Sequence, residues 1–127
     1  MLLRLLTATL CLAHGSLHLG FITPPPDDPA YPFRIDESWL VPAAAQRQVG
    51  LTLATIAILA FAGLAVVVLG IRRIRYAWRP LLGIGGTASL LLLIGYWNPW
   101  LIIGVGINTA LLAVTFAVPD WWDRVFA

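Results

Sequence analysis

Two histidines lie close together near the amino terminus of this 127-residue chain, inside an otherwise apolar stretch. His14 and His18 are four positions apart, so on an α-helix their side chains project from the same face. Imidazole nitrogens at this spacing suit zinc or copper. The pair is poorly placed for a haem, but a single axial contact to a haem or a chlorophyll, or contact with a quinone, stays open. The alternative is structural: neutral histidines that hydrogen-bond to polar groups on neighbouring helices. The sequence leaves the cofactor open between these alternatives.

Each chemical alternative needs different partners. A bis-histidine haem requires a symmetric dimer, because both histidines lie on one helix, whereas a single axial histidine needs none. Proton handling needs an acidic or quinone partner that the apolar spans lack. A metal site with His14 and His18 needs further ligands, which the acidic residues of the following loop would supply: Asp27, Asp28, Asp36 and Glu37.

Further polar residues recur at a similar depth in the other apolar stretches. At a rise of about 1.5 Å per residue, four of them lie roughly 9–12 Å below the outer ends of their spans. We therefore expect a polar layer in the outer half of the membrane, made of one residue from each span: His14, Thr55, Ser89 and Asn108. We expect a shallower layer above it, and both layers are candidate ligand-binding positions: His18, Gln48 and Tyr96.

The composition indicates which elements position these residues. Hydrophobic residues make up 60% of the chain and charged residues 11%, against about 45–50% and about 25% in soluble domains. This excess excludes a soluble enzyme, a nucleic-acid-binding domain and a disordered tail. We predict a single all-α domain, a four-helix transmembrane bundle with spans at about residues 2–21, 49–71, 81–97 and 101–118.

The few charges predict an orientation. Six of the eight arginines fall on one side of the predicted spans, and the positive-inside rule makes that side cytoplasmic. Both termini are then cytoplasmic and the loop 22–48 is extracytoplasmic, in a bacterial inner membrane. We expect topology anchors on the inner side at Arg72, Arg73, Arg75, Arg79, Trp78, Trp121 and Trp122, and on the outer side at Trp39, Trp97 and Trp100.

Shorter patterns predict local structure. Asn98 and Pro99 are typical of an N-cap and a first helical residue. Residues 36–40 are expected to form a short interfacial helix capped by Asp36, and Pro42 to begin the second long helix. Small residues are expected to allow close helix packing: Ala54, Ala57, Ala60, Gly63, Gly83, Gly86, Ser89, Gly106 and Ala110.

The first span resembles that of a known group of membrane proteins. It reads LAHGSLHLGF over residues 12–21, a His-Gly pair followed by a second histidine and Leu-Gly-Phe. This segment is similar to the start of small bacterial four-span proteins of the DoxX-like group, and residues 106–108 are more loosely similar. The resemblance implies a four-helix membrane fold, quinone-linked oxidation and partnership with larger membrane complexes. The chain lacks the additional charged and polar positions that would favour an oxidoreductase.

These patterns lead to one functional expectation and one alternative. The first is a non-catalytic accessory or interaction subunit of a larger membrane complex, in contact with the lipid bilayer and with other subunits or a second copy. The alternative is a redox or ligand-binding membrane protein that uses the layer of His14, His18 and Asn108. A transporter receives little support, because the spans lack charged or discontinuous features at the membrane midplane.

Overall fold

The fold is a bundle of helices in the computed structural model, which describes residues 1–70 and 76–117. In these two ranges the regular elements are all helical. They are α1 (Leu2–Leu17), α2 (Leu19–Ile22), α3 (Gln46–Val68), α4 (Trp78–Gly95), a 3-10 turn (Pro99–Leu101) and α5 (Ile102–Ala117).

Four helical segments are long and apolar enough to cross a membrane: Leu2–Ile22, Gln46–Val68, Trp78–Gly95 and Pro99–Ala117. Because 30 Å of hydrocarbon requires about 20 helical residues, each segment matches one bilayer. The prediction of an all-α, four-helix transmembrane bundle is confirmed, and the chain is a multi-pass membrane protein.

The helix boundaries follow local chemistry. The turn between the last two spans has the expected form, since Asn98 Oδ1 accepts a hydrogen bond of 3.0 Å from the Trp100 amide and Pro99 opens the 3-10 turn. Pro80 lies in the first turn of α4, where a missing amide hydrogen costs nothing. Gly70, at a φ of +101°, lies just beyond the end of α3. The first span is locally tightened at His18, whose amide bonds to the Gly15 carbonyl.

The helices are not packed equally. α3 and α4 form the central pair, α1 packs on α3, and α5 packs on α4. Within the described residues the backbones of α1 and α5 lie further apart than those of the other neighbouring helices. The bundle is therefore closed on the α3–α4 side, and it has a groove between its first and last helices.

Small residues allow the close approach on the closed side. Ala54, Ala57 and Ala60 of α3 are buried, and a Cβ added at Gly85 would lie 3.0 Å from that of Ala60. At Gly106, by contrast, an added Cβ would meet no atom within 4 Å. Gly106 and Ala110 are exposed on α5, so the expectation that they pack inside the bundle is wrong.

The long loop is held on one end of the bundle without a helix of its own. The expected helix at residues 36–40 is absent, and α3 begins at Gln46 rather than at Pro42. Ser38 forms a turn in this segment: its hydroxyl accepts from the amides of Leu40 and Val41 at 3.3 and 3.0 Å and donates to the Gly95 carbonyl at 2.6 Å. These bonds fix a turn against the end of α4 in place of a helical first turn.

The structure shows the positions of five of the predicted anchors. Trp39, Trp97 and Trp100 are exposed, at the end of the bundle that carries the long loop and the α4–α5 turn. Trp78 is buried near the opposite end, with the Arg79 guanidinium 5.2 Å from its ring centroid. The orientation in the membrane stays a prediction, and the remaining anchors lie outside the described residues: Arg72, Arg73, Arg75, Trp121 and Trp122.

Candidate functional site

Four polar side chains from three helices meet inside the bundle. Nε2 of His14 lies 3.1 Å from Oδ1 of Asn108, and Nδ2 of Asn108 lies 2.7 Å from Oγ of Ser89. The same Oγ lies 2.6 Å from Nε2 of His18. We call this set, His14, Asn108, Ser89 and His18, the polar network. It links α1, α4 and α5, and His18, Ser89 and Asn108 are buried.

Backbone carbonyls fix the direction of every hydrogen bond in the network. Nδ2 of Asn108 also lies 2.9 Å from the Gly104 carbonyl, which only accepts, so the amide orientation is assigned by this contact. Asn108 Oδ1 must then accept from His14 Nε2–H. At the other end, His18 Nδ1 lies 3.1 Å from the His14 carbonyl and must donate to it.

The neutral form of His18 then accepts at Nε2, and the donor is the hydroxyl of Ser89. Ser89 in turn accepts from Asn108, so each member satisfies the next. Because an unpaired polar group is costly inside a membrane, this mutual satisfaction makes the network a stabilising contact between helices. The structural alternative for the two histidines therefore has direct geometric support.

Apolar packing holds the two rings in place. The ring of Phe61 on α3 lies edge-on to His14, with centroids 4.7 Å apart, and parallel to His18 at 6.4 Å. A Cβ added at Gly15 would lie 3.0 Å from the Phe61 Cβ, so glycine at this position lets α1 approach α3. Phe61 was not among the candidate residues, because a phenylalanine in an apolar span gives no sequence signal.

The other candidate residues lie elsewhere. Thr55 is exposed on α3, because Ala54 and Ala57 take the buried face of that helix. Gln48 is exposed as well, and Tyr96 is buried and donates its hydroxyl to the Gln46 carbonyl. The structure thus brings together one residue from each of three spans, plus His18, and not the two separate layers.

The loop contacts around Tyr96 were also missed. Gln46 donates to the carbonyls of Ser38 and Val41, both at 3.0 Å, and Trp39 Nε1 donates to the Ile94 carbonyl at 2.6 Å. These residues hold the loop on the bundle. Their types are ordinary for a loop, so only the fold identifies them.

The polar network lies beside the groove between α1 and α5. His14 lines two cavities there, one of about 160 Å³ towards Phe33 and Trp100 and one of about 290 Å³ towards Thr7 and Leu111. Apart from the histidines, the walls are mostly apolar. A larger, shallow cavity of about 730 Å³ lies on the α4 surface and includes no member of the network, so we do not relate it to this site.

One nitrogen of the polar network is left for a ligand. With Nε2 bonded to Asn108, Nδ1 of His14 has no hydrogen-bond partner among the described residues. It is also not one of their fully buried unsatisfied atoms, and the His14 side chain lines both cavities of the groove. His18 offers no such atom, since both of its ring nitrogens are bonded.

This arrangement limits what the two histidines can bind together. Coordination of one metal ion by both rings would require breaking at least one of the bonds that fix them. Among residues 1–70 and 76–117, no three His, Cys, Asp or Glu side chains lie close enough to hold a metal ion. The two cavities, of about 160 and 290 Å³, lie at or below the lower end of the usual volume range of ligand pockets, about 300–1,000 Å³.

Comparison with known proteins adds no further constraint, since no family model, curated protein or solved structure matches this chain.

Proposed function

We propose that this protein is a non-catalytic accessory or interaction subunit of a larger membrane complex. The observation that carries the proposal is the outward face of α5, where Gly106, Ala110, Ala113 and Ala117 are all exposed. At 100° per residue these four positions lie on the side of the helix opposite Asn108. In lipid, such faces allow another helix to approach closely.

The outward face of α1 has a different composition. Its exposed positions are mostly leucines, among them Leu2, Leu6 and Leu10, which present bulky side chains suited to contact with lipid tails. Bulky exposed residues lie near both ends of α5, Ile102 and Ile103 at one and Phe116 at the other, and between these ends lie Gly106, Ala110 and Ala113. A neighbouring transmembrane helix, from another subunit or a second copy, is the partner that fits them.

Co-purification in a mild detergent tests this proposal. The wild-type chain, carrying an affinity tag, should bring down a stoichiometric membrane partner or a second copy of itself. Ala110→Leu should lose this partner, while the matched control Ala13→Leu, at an exposed position on α1, should retain it. A wild-type chain that is monomeric and alone after purification, yet fully functional, would refute the proposal.

The proposed location is a bacterial inner membrane, with both termini in the cytoplasm and the loop 22–48 outside. The arginine distribution supports it. Cys11 is the only native cysteine and lies in the first span, so a cysteine introduced by Pro26→Cys serves as a reporter. A membrane-impermeant maleimide should label it in intact cells, and labelling only after lysis would reverse the orientation.

The second candidate function is ligand binding in the groove between α1 and α5, by a DoxX-like protein. The unpaired Nδ1 of His14 beside two cavities favours it. Mass spectrometry of the protein released from gentle purification, together with visible absorption spectra and metal analysis, tests for a bound quinone, haem or metal. This function would be excluded if purified wild-type protein carried no bound molecule and did not take up added amphiphiles.

A further inference from the structure

We propose that the groove between α1 and α5 binds a single-chain amphiphile whose hydroxyl group donates a hydrogen bond to Nδ1 of His14. This inference rests on the second candidate function, ligand binding in the groove, and specifies the chemistry of the ligand. It does not depend on the accessory role, which concerns the opposite face of α5.

The hydrogen-bond directions in the polar network require a hydrogen-bond donor in the headgroup. Because Asn108 Oδ1 can only accept, the hydrogen of the neutral His14 ring is on Nε2. Nδ1 then carries a lone pair and acts as an acceptor. A hydroxyl can donate to it, whereas an ether, an ester or a ketone carbonyl cannot. A buried acceptor without a donor is unfavourable, so the site discriminates against those groups.

The environment keeps this acceptor character. Around His14 lie Phe61, His18 and Asn108, and none of them carries a negative charge that would stabilise a protonated imidazole. A charged ring among these apolar side chains is costly in a membrane. The neutral ring with a free Nδ1 is therefore the form that a ligand meets.

The shape of the groove determines the apolar part of the ligand. The inner cavity of about 290 Å³ begins at His14 and is lined by Leu10, Leu64 and Leu111 among others. The outer cavity of about 160 Å³ connects His14 to the end of the bundle at Phe33 and Trp100. Both lie at or below the lower end of small-molecule pocket volumes, so the proposed ligand has one unbranched chain, placed in the inner cavity. The outer cavity then provides the entry route.

A pair of matched probes tests the donor requirement in the full-length protein. Dodecan-1-ol and its methyl ether share one chain, but only the alcohol donates a hydrogen bond. In protein labelled with ¹⁵N-histidine and placed in lipid nanodiscs, the alcohol should shift the His14 Nδ1 resonance. It should also bind about three- to tenfold more tightly than the ether, the range expected for one hydrogen bond inside a membrane.

The possible results separate this inference from the function on which it rests. Equal affinities for alcohol and ether would overturn the donor requirement and leave groove binding intact. No effect of either probe on the residues of the groove would overturn both. Neither result bears on partner binding through α5, which co-purification measures separately.

Three variants locate the binding. Ile107→Trp, at a residue that lines both cavities, should abolish binding of both probes. His14→Phe should bind the alcohol and the ether with about equal affinity. Thr55→Val, on the exposed face of α3, should leave both affinities unchanged. Retained preference in folded His14→Phe would refute the assignment to Nδ1. Should that variant not fold, the comparison of the two probes on wild-type protein decides the question.

Discussion

The two sides of the bundle are held together by different interactions. Between α3 and α4 the contact is close and apolar, with the buried Ala60 and Phe61 facing Gly85. Between α1 and α5 the described backbones lie further apart, and the His14–Asn108 hydrogen bond joins the two helices. In lipid, both close packing and polar contacts can hold helices together, and this protein uses one on each side.

The difference has a functional consequence. A closely packed contact excludes any other molecule, because the side chains already fill the space. A contact made by one pair of polar side chains leaves space on either side of it, here the two cavities lined by His14. The side held by hydrogen bonds is therefore the one able to bind a ligand.

The largest expected effect comes from filling the closed side. Gly85→Leu places a bulky side chain where even a Cβ lies 3.0 Å from Ala60, so α3 and α4 must separate. We expect a loss of about 3 kcal/mol in the free energy of unfolding, the upper range for overpacking. Denaturation in detergent micelles, followed by circular dichroism, measures it. The control Gly95→Ala, where an added Cβ meets nothing within 4 Å, should cost under about 1 kcal/mol.

If Gly85→Leu lowered the free energy of unfolding by less than Gly95→Ala does, α3 and α4 would not be closely packed at Gly85. The closed side would then resemble the groove side.

Removing the central amide of the polar network should have the next largest effect. Asn108→Leu leaves His14 Nε2–H without an acceptor and removes the bond to Ser89. We expect a destabilisation of about 2 kcal/mol, as for the loss of two or three hydrogen bonds inside a membrane. The same denaturation experiment applies. The neighbour Thr109 is exposed and bonds only within its own helix, so Thr109→Val should stay within about 0.5 kcal/mol.

If Asn108→Leu proved neutral or stabilising, the network would not hold the helices together. The histidines would then be retained for ligand binding alone.

A double-mutant cycle isolates the bond that spans the groove. His14→Phe and Asn108→Leu, alone and together, should give a coupling free energy of about 0.6 kcal/mol, with about 1.7 kcal/mol as an upper limit. The value is modest because the unfolded chain in a membrane also finds polar partners. A matched cycle of His14→Phe with Thr109→Val should give no coupling. Zero coupling in the first cycle would mean that another contact joins α1 to α5.

The smallest effect on stability is expected on the outward face of α5. Gly106→Leu introduces the same side chain as Gly85→Leu, but into open space. The isolated protein should unfold within about 0.5 kcal/mol of wild type, since surface substitutions are usually neutral. Its complex with the partner helix should weaken nevertheless. A strongly destabilised isolated Gly106→Leu protein would show that this face packs within the bundle.

Much of the fold was predictable from composition and local signals. Four apolar stretches separated by polar segments predict four spans, because an apolar stretch of about 20 residues satisfies its own backbone in lipid by forming a helix. Asn98 and Pro99 predict their turn because a cap depends only on adjacent residues. The structure of residues 36–40 was not predictable, since Ser38 bonds to the Gly95 carbonyl, 57 positions away in sequence.

The candidate site was predictable only in part. Depth along each span gave the right height for His14, Ser89 and Asn108, because a helix has a fixed rise per residue. Depth does not give the rotation of a helix about its axis. Because lipid and the bundle interior are both apolar, the sequence does not show which face of a helix is buried. This is why Thr55 was expected in the same layer, although it points away from the bundle.

The sequence by itself determined that the chain spans the membrane four times and which few polar residues lie within the spans. Those properties follow from hydrophobicity and helix geometry, which act locally. Only the tertiary structure decided which of these residues meet, in which direction each hydrogen bond runs and that His14 keeps a free nitrogen beside a groove. These depend on helix rotation and on carbonyl groups such as that of Gly104, which every residue carries and no sequence pattern distinguishes.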